Sequence, residues 1–359
     1  MPIKPGKKLR PECKPIDRHH ARIQDRWSSP DSGLRKETVR LNVDPMRSKT
    51  QLHLDWQSKL ILLLIFPAVS VDLMLQISKW GVTLLPVAGI WTWGLSALLG
   101  LIAWKLRAAT AWAAVAGAAI AASITFSTLP DGDYRLYAPW RTAMVPLTVL
   151  MVLTSLATRM GRARKEHLGT AEKRQGRSPS QVAANLGVAT LVSMFVVLLW
   201  LERLGVLQLS FFRVHGFSKP FWSSTLTFVV GLAALAESAA DTVSSEIGQV
   251  FGGRPRMLTT LRAVEPGTDG AISLIGTLAG AVAGGAVATA GAIALNGGWE
   301  MFGIATAAAI FGLLIDSLLG ATLERRGWLN NDAVNFLSTA SAAAFALAIL
   351  AILPHPGVG

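Results

Sequence analysis

Apolar runs of about 20 residues recur along this chain, and that recurrence constrains its fold more than any single motif does. As a helix, each run can cross a hydrocarbon layer about 30 Å thick. Strands of a transmembrane barrel would alternate in polarity, and these runs do not. Only 16% of the residues are charged, against about 25% in an average soluble domain. The fold class is therefore all-α, a polytopic transmembrane helical bundle. Spans are expected near 60–78, 82–104, 108–127, 142–157, 181–201, 222–240, 271–295, 299–320 and 332–353, about nine in all. Trp80, Trp104, Trp140, Trp200, Trp222 and Trp299 fall near their ends, as an interfacial aromatic belt requires.

The chain divides into a basic arm, residues 1–58, and a membrane domain, residues 59–355. The arm has too few large apolar groups to fold alone and is expected to be disordered. It contains no apolar segment that would serve as a secretory signal. Its basic residues suit a tether or a contact with anionic lipid, at about 1 kcal/mol each near the surface. Counting basic residues in the loops puts the arm, 158–180, 241–270 and 321–331 on one side, the cytoplasmic side of a cell (inner) membrane. Cys13 stands alone and the six histidines show no ligand spacing, so neither a disulfide nor a thiolate metal site is expected. No P-loop, zinc or dinucleotide motif is present, and no nucleic-acid partner is expected.

The run Glu237–Gly270 carries the chemistry. Ionisable groups at membrane depth are costly, and function is their default explanation. On a helix, Glu237, Asp241, Ser244 and Gly248 share one stripe. Such an oxygen-rich set suits Mg²⁺, which takes one or two carboxylates and completes its shell with water and phosphate oxygens. Arg254, Arg256 and Arg262 follow, fit to clamp a polyphosphate or simply to anchor the loop. Pro266–Gly270 then leads into the next apolar helix. Its glycines permit a tight turn at a helix N-terminus, which favours an anion; Thr268 or Asp269 would equally serve as a plain N-cap. On the same side lie Asp316–Ser317, Asn330–Asp332 with Asn335, and Arg177, Gln181 and Asn185. Gly276, Gly280 and Gly284 recur every four residues, as close helix packing requires.

Several of these segments, in this order, resemble an integral membrane family known as domain of unknown function 92, which takes in the phytyl-phosphate kinases of tocopherol synthesis. The resemblance rests on Ala240–Gly248 (Ala-Asp-Thr-Val-Ser-Ser-Glu-Ile-Gly), on Val264–Gly270 followed by Ser273, on Asp316–Thr322 and on Asn331–Asn335. It covers roughly residues 85–350 and leaves the arm outside. The chain departs from many members at Val243, Ala271 and Glu324, where they carry Trp, Gly and Gln.

The resemblance implies a membrane kinase that transfers a phosphoryl group from a nucleoside triphosphate to a prenyl (phytyl-like) monophosphate. It implies Asp241 holding Mg²⁺ with Glu237 or Glu246 in support, and Arg254, Arg256 and Arg262 on phosphates. Gly267, Thr268, Gly270 and Ser273 would cradle a phosphate, with Arg177, Gln181 and Asn185 on the substrate side. Asp316, Asp332 and Asn335 would form a second polar wall. A carrier or flippase for a lipid phosphate or small anion is the alternative, and it would place polar groups near the bilayer midplane.

Overall fold

A computed structural model describes residues 45–80, 89–129, 138–171, 175–194 and 219–352. Its helices are α1 (Pro45–Trp80), α2 (Ile90–Lys105), α3 (Ala111–Ser127), α4 (Met144–Arg159), α5 (Arg162–Leu168), α6 (Pro179–Ser193), α7 (Lys219–Phe251), α8 (Leu274–Ala294), α9 (Gly298–Leu319) and α10 (Asn331–Ile352). A π-helical turn, Gly320–Glu324, prolongs α9. Two short strands, β1 (Arg256–Met257) and β2 (Ala271–Ile272), pair antiparallel with Arg256 opposite Ile272. The arm through Asp44, with Cys13, His19 and His20, lies outside the described residues, as do Asp131, Asp133, Arg135, Lys173, Arg174 and the side chains of Trp80, Trp200 and Trp222.

Where the expected apolar segments are described they fall on helices, but among the described residues fewer helices qualify as crossings than the nine expected. Four are long and apolar enough: Leu54–Ile77, Leu274–Ala294, Gly298–Glu324 and Asn331–Ile352. The pair α4 and α5, bent by 64°, would make a fifth. Three of the remaining helices are short. Helix α2 has 16 residues, α3 17 and α6 15, about 24 Å each, short of a layer about 30 Å thick.

The arm also ends earlier than expected, because α1 already begins at Pro45. Tertiary contacts hold this extra helical length. Gln57 Nε2 donates to Trp328 O (2.8 Å), and its Oε1 accepts from Asn330 N (2.8 Å). Asn330 Nδ2 in turn donates to Leu54 O and to Ser58 Oγ.

Helix α7 is the hub and packs against α4, α6, α8, α9 and α10. Small side chains make that possible: Ala233, Ala234, Ala236, Ala239 and Ala240 are completely buried. The four-residue glycine ladder of α8 meets α7 directly. A Cβ on Gly276, Gly280 or Gly284 would lie 2.7, 2.6 or 3.1 Å from the carbonyl oxygens of Ser244, Ala240 and Ala236. The ladder is thus a packing device that brings the α7 stripe against α8. Leu63, Met74, Val282 and Ile293 point outward as an exposed apolar belt, the surface a bilayer would cover. Inside the belt, Ser123 Oγ donates to Asp72 Oδ2 (2.7 Å) and ties α3 to α1. Nothing in the apolar run around Asp72 announced that partner.

Candidate functional site

Helix α7 sets Asp241, Ser244, Ser245, Gly248 and Gln249 along one wall of a cavity of about 220 Å³. The turn from Pro266 to Gly270 and Ser273 form the second wall; Asp316, Ser317, Gly320 and Glu324 form the third, with Asn331 beside them. All three walls belong to one end of the bundle. Asp241 and Asp316 both line the cavity across the α7–α9 interface, within electrostatic reach of each other. Glu324 lies within electrostatic reach of Asp316. The π-helical turn aims it there: one extra residue per turn re-orients side chains, and such bulges favour functional sites.

The second wall is a built turn. Thr268 Oγ1 donates to Glu265 O (2.7 Å), and Ala271 N donates to Thr268 O (3.1 Å). Gly267 and Gly270 hold φ of +86° and +72°, a region that strains any residue with a Cβ. Gly270 also lies directly on the π-helical turn, where an added Cβ would stand 2.0 Å from Ala321 N. Gly270→Ala combines a left-handed φ with a backbone clash, each costing on the order of 1–3 kcal/mol. A large fall in melting temperature in detergent is the expected result. The turn ends at Ser273, whose Oγ accepts from Gly276 N (3.1 Å). Ser273, rather than Thr268 or Asp269, is therefore the N-cap of α8, and that helix opens its positive end toward the cavity.

Buried oxygens without partners lie in the cavity walls and beneath them. Both carboxylate oxygens of Glu237, Asp316 Oδ2 and Gln249 Oε1 have no hydrogen-bond partner. Glu237 is fully buried one turn deeper than Asp241, its stem against Gly312, where a Cβ would come within 2.5 Å of Glu237 Cγ. A carboxylate set this poorly satisfied calls for positive charge. Among the described residues no three His, Cys, Asp or Glu side chains form a ready ligand set. Asp241 and Asp316 offer a pair, which fits Mg²⁺ completed by water and phosphate oxygens. Glu237 stands behind that pair and does not line the cavity.

Other expected residues take structural parts. Glu246 points away from the cavity and accepts from Lys165 Nζ at 2.5 Å. The same ammonium, with its side chain only 1% exposed, donates to Ala157 O and Thr158 O at the end of α4. Asp332 accepts from Ser58 Oγ (2.6 Å) and so binds α10 to α1, while Asn330 Oδ1 caps α10 at Ala333 N. Asn335 lends its carbonyl to Ser338 and Thr339 and lies outside the cavity lining. Gln181 completes a capping box with Ser178 at the start of α6. Asn185 Oδ1 accepts from Ser238 Oγ (3.3 Å), pinning α6 to α7. Arg254, Arg256 and Arg262 are exposed and do not line the cavity; Arg256 Nη1 donates to Leu261 O (2.9 Å). Their loop is drawn into the β1–β2 pair, which turns the guanidinium groups outward.

Arg177 is the basic residue that does approach. Its Nη2 donates to Thr242 Oγ1 (3.2 Å), next to Asp241, and its charge acts on that carboxylate. No motif assigns a part to Gln249 or Lys165, and Glu324 stands out in the sequence only as a departure from the family pattern.

The model of the family described as "Integral membrane protein DUF92" matches residues 94–343, a span that holds every residue of the cavity. This chain belongs to the DUF92 family. "Uncharacterized membrane protein sll0875" of Synechocystis sp. is 34% identical over 215 residues, covering 58% of this chain and 74% of its own. "Protein VTE6, chloroplastic" of Arabidopsis thaliana is 29% identical over 252 residues, 69% of this chain and 68% of its own. "Uncharacterized membrane protein MJ0933" of Methanocaldococcus jannaschii is 43% identical over 108 residues, 30% and 45% of the two chains. No solved structure matches. Helix α1 begins before the DUF92 match, so its hydrogen bonds to Trp328 and Asn330 fasten a flanking helix onto the family core.

Proposed function

We propose that this DUF92 protein is a membrane phosphotransferase that moves the terminal phosphoryl group of a nucleoside triphosphate to a prenyl (phytyl-like) monophosphate. The observation that carries this is the meeting of Asp241 and Asp316, from two helices, with the glycine turn and the α8 N-terminus around one cavity. Phosphoryl transfer asks for positioning and charge control more than for covalent chemistry. An oxygen of the acceptor phosphate bonds to the terminal phosphorus, the bridging P–O bond breaks, and the nucleoside diphosphate leaves. The turn at Gly267–Gly270 and the α8 N-terminus offer N–H groups and a favourable dipole to phosphate oxygens. Arg177, bonded to Thr242, brings positive charge near Asp241. Asp241 and Asp316 would hold Mg²⁺, which neutralises phosphate charge and orients the reacting oxygens.

Exposed Arg164, Arg254, Arg256, Arg262, Arg325 and Arg326 surround this end of the bundle, and that concentration supports a cytoplasmic placement. The nucleotide then arrives from water and the lipid from the bilayer. A carrier would set its polar groups at the midplane between repeats; here the cavity lies at one end.

Purified protein, offered prenyl monophosphates of several lengths with each nucleoside triphosphate and Mg²⁺, is expected to form prenyl diphosphate and nucleoside diphosphate one for one. Proteoliposomes that move a lipid phosphate or an anion and consume no nucleotide would establish the carrier instead.

A further inference from the structure

A second cavity, also of about 220 Å³, lies between α2, α3, α4 and α6, away from the polar one. Its depth is apolar and lined by small side chains on one side, Ala114, Gly117 and Ala121 of α3, and by Leu147, Leu150 and Met151 of α4 on the other. Its rim is basic, with Arg107, Arg159, Arg162 and Arg177. An apolar slot that ends in guanidinium groups is complementary to one kind of molecule: a hydrocarbon chain bearing an anionic head.

The rim is held in shape by the backbone. Arg177 N donates to Ala108 O and Thr110 N donates to Arg177 O, both at 3.0 Å, so the α2–α3 turn is stitched to the segment entering α6. Gly176 makes this possible, since a Cβ there would stand 2.6 Å from Arg107 O. Arg107 itself is fixed in the left-handed region, φ 55°, a strained conformation that persists only where its surroundings demand it. Arg159 Nη2 rests on Leu106 O, and Arg162 pairs with Glu166 at 3.1 Å, so both guanidinium groups are steadied near the mouth.

Arg177 reaches from this slot toward α7. It lines this slot, while its Nη2 bonds Thr242 beside Asp241. A head group at the rim would share with Asp241 the charge of Arg177.

We infer that the α2–α3–α4–α6 slot holds the hydrocarbon chain of a lipid monophosphate, with Arg107 and Arg177 on its phosphate. Binding follows from this slot alone; only the fate of the head group rests on the phosphotransferase reading. Each buried CH₂ contributes about 0.8 kcal/mol, so the chain supplies affinity while the arginines select the head.

The test uses the full-length protein in lipid nanodiscs with an alkyl monophosphate carrying a photoreactive diazirine near the chain end. Labelling is expected on α3 and α4, around Gly117 and Met151. Prenyl monophosphate should compete, and inorganic phosphate should not. Gly117→Phe is the plugging variant of choice, because a Cβ there meets only Val182 Cγ1, at 3.7 Å. It should cut labelling by about tenfold, the loss expected when a few buried CH₂ groups are displaced. Met151→Trp is a second plug on the opposite wall, and wild-type melting shows that either variant is folded. Labelling outside the slot, or competition by inorganic phosphate as strong as by the lipid, would overturn the inference. So would diphosphate formation at the wild-type rate by both plugged variants, which would leave the kinase itself standing. Specific labelling of the slot without nucleotide consumption for any lipid would retain this site and sink the kinase.

Discussion

Asp241→Asn is expected to lower phosphoryl transfer by on the order of 10³-fold, the scale seen when one preorganised electrostatic partner is removed from a site. It is also expected to leave the protein at least as resistant to heat. The substitution keeps shape and volume but takes one charge out of a group that includes Asp316 and Glu237, of which Glu237 finds no hydrogen-bond partner. Like charges in one place oppose each other, and the strain of assembling them is what a functional site retains. Two measurements on one preparation decide the matter: product formation with saturating nucleotide, and melting temperature in detergent. Undiminished turnover would falsify the role given to Asp241. Lost turnover together with a large fall in melting temperature would show that Asp241 is structural. Glu246→Gln is the companion variant, and its turnover per folded molecule should stay within a few-fold of wild type, because Glu246 faces Lys165 and not the cavity.

Lys165→Met is expected to cost about 3–5 kcal/mol of stability, the scale for removing one partner of a buried ion pair. Three acceptors lose the ammonium at once: Glu246 Oε2, Ala157 O and Thr158 O. Both carbonyls belong to the last turn of α4; Ala157 O keeps Met160 N–H as a partner, at 3.2 Å, and Glu246 is left as a mostly buried charge, 13% exposed, without Lys165. These bonds span the bend between α4 and α5, 64°. Lys165→Met combined with Glu246→Leu should recover a large part of the loss, since replacing both ions by apolar groups is often nearly neutral. Thermal melting of the two single variants and the double variant supplies the coupling. Additive effects would mean that the two side chains do not act as a pair.

The polar motifs were legible because each is improbable in its setting. Asp241 and Asp316 interrupt apolar runs, and the Pro-Gly-Thr-Asp-Gly segment precedes a helix. Local rules also anticipated the four-residue glycine ladder as a packing face. Other residues misled for a common reason: their types permit two uses. Gln181 and Ser178 could bind phosphate or form a capping box, and local backbone geometry chose the box. Arg254, Arg256 and Arg262 are close in sequence to the carboxylates, yet the β1–β2 pairing turns them outward. Lys165 looked like one more basic loop residue among several, until the turn after α4 folded it under the bundle.

By itself, the sequence determined the helical membrane class and which segments are apolar. It also determined which residues share a stripe on their own helix, since a period of 3.6 residues needs no partner. Only the tertiary structure decided which stripes meet. The rotation and depth of α7 against α8 and α9 are set by contacts such as Gly280 on Ala240 O and Gly312 on Glu237. Those contacts join residues tens of positions apart, beyond the reach of any local rule. They place Asp241 opposite Asp316, leave Glu237 beneath the cavity, and give Glu246 to Lys165.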